Sequence, residues 1–173
     1  MNTTSNILKM RILVIIIFLS YINICYSQGL NTDINSNKLN KNVIYATLGV
    51  YPEEFYGTIM GNYERMIIEF PTTFISSLWV RVGAGPWVWW TGNGTNYVST
   101  ISLLTGRKGV HMETGLGALL TYNPESKNFR PLIHDRYLAG NIGFRFQKPG
   151  GKFVFRTGIG WPEFLYLGLG YSF

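Results

Sequence analysis

Cysteine is almost missing: Cys25 is the only one in 173 residues, so from Gln28 onward there is no disulfide scaffold, thiolate metal site or cysteine nucleophile. Histidine is nearly as scarce. His111 and His134 lie far apart in sequence, and two imidazoles without thiolates make a poor zinc set, so no metal and no cofactor is expected. Charged residues make up 14% of the chain, well below the roughly 25% that keeps a soluble globular surface hydrated. No apolar run reaches the roughly 20 residues of a spanning helix, and no stretch carries a sustained i, i+3, i+4, i+7 apolar stripe. Helical bundles and helical membrane proteins are thereby set aside.

What the chain does contain is aromatic side chains, at 16%, and 20 glycines. The formal charge of +6 comes from basic residues scattered singly, with no stripe or run, so nucleic acid is not an expected partner. Residues 1–27 resemble a signal peptide. Lys9 and Arg11 precede a largely apolar run from Ile12 to Ile24, and Cys25 and Ser27 are small enough to flank a cleavage point before Gln28. Asn23 and Ile24 are not the small residues that precede a lipidated cysteine, which disfavours a lipoprotein. Residues 28–42, rich in Asn, Ser, Thr and Lys, read as a flexible periplasmic leader. One folded unit, 43–173, follows.

From Val43 the apolar period is two, which predicts an all-β chain of eight strands: 43–51, 57–69, 74–88, 97–105, 110–122, 134–147, 152–160 and 165–173. Tight connections at 71–73, 106–109 and 148–151 alternate with longer ones at 91–96 and 123–133, as in an antiparallel up-and-down barrel. In the last strand Leu165, Leu167, Leu169, Tyr171 and Phe173 share one face against Tyr166, Gly168, Gly170 and Ser172. Across the strands the minority face is glycine plus one long charged residue. A soluble barrel would need repeated Lys, Glu, Thr and Ser on its outer face, whereas the lumen of a narrow barrel needs glycines that leave room for large side chains. The expectation is therefore a transmembrane barrel with the apolar face outward and a filled polar interior in which Glu64, Glu113, Arg81, Arg145 and Arg156 pair. The second strand strains the pattern. Turning Ile59, Tyr63 and Ile67 outward also turns Arg65 outward, which requires snorkelling or a bulge. Aromatics at strand ends predict two interfacial girdles, with Trp87, Trp89, Trp90, Tyr122 and Trp161 in one and Phe146 and Phe173 in the other.

The segments Gly61-Asn62-Tyr63-Glu64-Arg65, Glu113-Thr114-Gly115-Leu116-Gly117 and Gly143-Phe144-Arg145-Phe146, with the tail Lys148–Phe173, resemble small outer-membrane barrels of Bacteroidota, of the OmpA/OmpX-like kind. The resemblance implies a fold and an outer-membrane location rather than a reaction. It also implies that Leu167, Leu169, Tyr171 and Phe173 form the signal read by the barrel-assembly machinery, a partner during insertion, with outer-membrane lipid as the lasting partner and a monomer as the state.

Catalytic sets are weak. His111 and Glu113 share an inward face at a spacing that could orient an imidazole, but no serine accompanies them, and a structural polar pair is the reading. His134 and Asp135 are adjacent and would point to opposite faces of a strand. The His and Ser motif of outer-membrane lipid A deacylases is missing between Phe153 and Phe173. The glycine-rich pieces lack a strand-to-helix context, which excludes phosphate-loop and dinucleotide readings. The sequence thus predicts a non-enzymatic membrane barrel with a structural role or loops presented to partners. A lipid A-modifying enzyme and a soluble periplasmic barrel for a small apolar ligand are the alternatives, and a diffusion pore is disfavoured by strand number.

Overall fold

The computed structural model describes residues 38–51, 56–70, 74–90, 92–106, 109–124, 128–130 and 138–173. The expected signal segment 1–27, most of the leader 28–42, and His134 with Asp135 lie outside the described residues. The ordered elements are β1 (Asn42–Tyr51), β2 (Tyr56–Glu69), β3 (Ile75–Trp89), β4 (Gly92–Thr105), β5 (Val110–Asn123), β6 (Asn128–Arg130), β7 (Leu138–Phe146), β8 (Phe153–Trp161) and β9 (Phe164–Ser172). Every pairing is antiparallel between chain neighbours, except that the three-residue β6 only extends β5 and β7 pairs with β5 directly. The first and last strands also pair, Val43 opposite Ser172, so eight strands close into an up-and-down barrel with no free edge.

Alternation sets what each face carries. Along β1, Val43, Tyr45, Thr47 and Gly49 are buried while Ile44, Ala46, Leu48 and Val50 are exposed, and the period holds around the ring. Leu165, Leu167 and Leu169 are exposed, whereas Arg81, Arg145 and Arg156 are at most 3% accessible. The apolar face points outward. Arg65 is also exposed, and a bulge between Met66 and Ile68 lets Ile67 and Ile68 both face out beyond it. An outward Arg65 and a bulge are thus both present on β2.

One connection differs from expectation. Residues 92–96 belong to β4 rather than to a long loop, because β3 and β4 stay paired up to Trp89 opposite Gly92 and turn at Trp90. Gly94 tolerates a strand position for a specific reason: a Cβ there would sit 2.8 Å from Trp87 Nε1, so the indole occupies the space a side chain would need.

The lumen is layered. Near the end that carries Asn42 and Phe173, Val43, Tyr45, Met66, Trp79, Leu104 and Val154 form an apolar plug, and Leu39 packs on it. Toward the opposite end Met60, Val98, Leu119 and Ala139 form a second cluster, with Trp161 against it. The segment before β1 is tied down at the first plug: Asn40 Nδ2 donates to Gly151 O and to Ser172 O, at 3.3 and 3.2 Å, and the Gly150 amide donates to Lys38 O.

The turn between β8 and β9 folds back into the lumen. It contains a cis Trp161–Pro162 peptide, and Glu163 is 1% exposed. Its backbone lies directly on Gly49, where a Cβ would overlap Glu163 O and lie 2.7 Å from its Cα. Glu163 forms an ion pair with Arg81, so Gly49→Ala is expected to displace this turn and uncouple the two, a loss of roughly 3–5 kcal/mol if the buried charge is left unpaired. The urea midpoint of the folded barrel checks it. Gly57→Ala, where nothing lies within 4 Å of the new Cβ, serves as the control and should stay within about 0.5 kcal/mol of wild type.

Candidate functional site

The largest concentration of chemistry lies between the two apolar clusters. Glu64 on β2, Arg81 on β3, Glu113 on β5, Arg145 on β7 and Arg156 on β8 all point inward, since each falls on the buried parity of its strand. Glu64 is the hub. Its Oε2 accepts from Arg145 Nη1 at 2.9 Å, and its Oε1 accepts from Arg156 Nη1 at 2.7 Å and from the Tyr45 hydroxyl at 2.8 Å. Arg156 also bonds the Glu113 carboxylate through Nη2, so one guanidinium joins two carboxylates from distant strands. Arg81 makes a separate pair with Glu163 and donates through Nε to Asn62 Oδ1 at 2.8 Å.

Aromatic faces complete the cations' surroundings. The Arg145 guanidinium lies 4.1 Å from the Trp79 ring centroid, and the Arg156 guanidinium 4.2 Å from that of Tyr45. Three guanidinium groups therefore meet three carboxylates, and the layer is formally neutral. Neutrality and dense hydrogen bonding are what allow such a layer to be buried, because each isolated charge would carry a desolvation penalty of several kcal/mol. Glycines make the room: a Cβ at Gly83 would meet Asn62, at Gly168 Thr47, and at Gly170 Tyr45.

Glu163 is the residue that sequence reasoning missed. It sits in a two-residue turn rather than on an alternating strand, so period-two patterning could not assign it a face. A signal was nonetheless present, since three inward arginines against two inward glutamates leave one cation without a partner.

The residues considered for catalysis are separated by their bonding. His111 Nδ1 lies 3.2 and 3.1 Å from the carbonyls of Thr105 and Gly106, while Glu113 is engaged by Arg156 and by Asn141 Nδ2 at 3.0 Å. The two strand neighbours thus serve different partners. Of the girdle positions, Trp90 (74% exposed), Phe146 and Phe173 are exposed, and Trp89, Tyr122 and Trp161 are half-buried. Trp87 turns inward, because it shares the parity of Trp79 and Arg81, and its ring lies 6.4 Å from that of Tyr56. Around the same end Tyr51 stacks on Phe164 with centroids 4.0 Å apart, and Trp161 meets Phe164 edge-on.

On the outer wall an apolar groove of about 910 Å³ runs over Gly140 between Leu116, Ile142, Ile159, Leu165 and Trp161. The lumen itself is occupied by the side chains named above. Comparison of the chain with family models, with curated proteins and with solved structures finds no match.

Proposed function

We propose that this chain is an integral outer-membrane β-barrel, exported through a cleaved signal peptide, with lipid around its apolar wall and a structural or loop-mediated role rather than a catalytic one. The observation that carries this reading is the inversion of the barrel. Among the described residues 26 large apolar side chains are exposed, nearly all of them outward-facing on strands or at strand ends, while the ion pairs are inside. A monomer in water rarely exposes contiguous apolar patches beyond a few hundred Å², whereas a bilayer rewards such a wall. The eight strands of the ring run 9 to 15 residues, enough for a tilted strand to cross. The outward row Leu167, Leu169, Tyr171 and Phe173 on and beside β9 is the surface that the barrel-assembly machinery would read.

A lumen packed with ion pairs argues against a diffusion pore and against an internal apolar ligand site, since an eight-stranded interior either fills with side chains or holds one small ligand, and here side chains fill it. The lipid-modifying alternative keeps the same barrel and adds a reaction. Mass spectra of lipid A with and without the gene separate it from the structural role, and a reproducible acyl-chain difference would overturn the preference for the latter.

The membrane reading has a direct test. After a carbonate wash the protein is expected in the pellet, and on SDS gels it should migrate differently before and after boiling, as a closed barrel does when it stays folded until heated. Release into the supernatant would favour a soluble barrel instead.

A further inference from the structure

The outer wall dips at one place. In the row that crosses Leu116 on β5, Gly140 on β7 and Trp161 on β8, two neighbouring outward slots lose height. Gly140 has no side chain to project. Trp161 follows the outward parity of Ile159, yet it is half-buried and packs against the lumenal cluster of Met60, Val98, Leu119 and Ala139. In the next row Thr114, Ile142, Ile159 and Leu165 stand side by side across β5, β7, β8 and β9, and all four are exposed. The apolar groove of about 910 Å³ lies over this dip.

Its lining extends from β5 through β7, β8 and β9 to Tyr51 at the end of β1, so it crosses four strand spacings of about 4.8 Å, roughly 19 Å in all. The groove is elongated. Most of its length is aliphatic, whereas the end away from Asn42 and Phe173 is aromatic, with Tyr51 stacked on Phe164 and Trp161 edge-on to the same ring.

We propose that this groove is a binding site for an acyl chain of a bilayer lipid, which lies across β5, β7, β8 and β9 with its polar head at the level of Tyr51 and Trp161. The groove opens on the outward wall, in one surface with the exposed aliphatic rows, so its occupant arrives from the surroundings of the barrel and not from the lumen. An elongated apolar trough fits a hydrocarbon chain. Trp and Tyr rings favour the depth of lipid headgroups, which suits the aromatic end to the polar part of the same molecule. A second copy of this chain is the poorer occupant. Twofold pairing would set groove against groove and leave an unfilled volume between them, at odds with the close packing of stable interfaces. The inference rests on the reading of the wall as lipid-facing, and adds that one stretch of it holds a lipid in preference to the rest.

The test uses the folded full chain in phosphatidylcholine vesicles that contain a trace of phosphatidylcholine with a diazirine midway along one acyl chain. After irradiation, mass spectrometry locates the labelled residues. Leu116, Ile142 and Ile159 are expected to carry a severalfold excess of label over the exposed outward residues Leu48, Val82 and Ile101 elsewhere on the ring. A Cβ at Gly140 would lie 3.2 Å from Gly115 O and 3.7 Å from Leu116 Cδ1, so Gly140→Leu asks for a small adjustment and fills the dip. It should abolish the excess, while Ala46→Leu, at an exposed outward position on β1, should leave it unchanged. Even labelling around the ring overturns the site and leaves the lipid-facing wall standing. Absence of label from every outward residue overturns both. Crosslinks from groove residues to a second chain in place of lipid, or an excess that survives in folded G140L, also overturn the proposal, and the wild-type distribution decides the matter where G140L does not fold.

Discussion

Glu64→Gln is expected to be among the most damaging single substitutions in this chain, lowering stability by roughly 3–5 kcal/mol through a shape-conserving change of one atom. Arg145 loses its carboxylate altogether and keeps only Gln147 Oε1, at 2.8 Å, and the Trp79 face. Arg156 retains Glu113, so the injury is centred on Arg145 and on a lumen left with one net positive charge. The double variant Glu64→Gln/Arg145→Met restores charge balance and puts an apolar chain against Trp79. It should be more stable than E64Q alone, and a double-mutant cycle completed with R145M should give a coupling of about 1–3 kcal/mol. Urea-dependent unfolding in detergent or vesicles measures all four proteins. If E64Q unfolds within about 0.5 kcal/mol of wild type, the ionic layer contributes nothing that its polar isostere cannot supply.

Leu167→Arg and Ile101→Arg probe the opposite surface. Both residues are outward, mid-strand and more than half exposed, at 55% and 56%. For a barrel in water, adding a charge at such a site is nearly neutral. For a barrel in a bilayer, an arginine near the midplane costs roughly 2–4 kcal/mol, which at 1.4 kcal/mol per factor of ten lowers the folded population about thirtyfold or more. The expected result is a marked loss of membrane-inserted protein for both variants, with little effect from the same change at Phe153, at a strand end where the side chain can snorkel. Equal behaviour of all three in a vesicle-folding assay would count against the lipid-facing wall.

How far the residues themselves foretold this arrangement depends on what fixes each feature. Strand parity was readable wherever one face is aliphatic and the other glycine, as on β9, because a two-residue period admits a single assignment. The inward positions of Arg81, Arg145 and Arg156 follow from that parity. Which carboxylate each arginine meets does not, since the partners lie 43 to 92 residues apart and are brought together by barrel closure. The start of β4 was hidden because Gly92-Asn93-Gly94-Thr95 has the composition of a turn, whereas it is held as strand by pairing with β3, with the Tyr122 carbonyl and the Trp87 indole lying close over Gly94. Glu163 was hidden for a related reason. Its place depends on the bare surface of Gly49, more than a hundred residues away, and no local pattern encodes that contact.

The closing pair of strands has a further consequence. Asn42 N donates to Phe173 O at 3.0 Å and Phe173 N donates to Asn42 O at 2.9 Å, so the two extremities of the ring are already stitched together as any internal hairpin would be. Every other main-ring junction is also between neighbours in an unbroken meander. The architecture is therefore cyclic in its physics and linear only in its covalent backbone. A rethreaded chain opened at Trp90 would inherit the same set of neighbours.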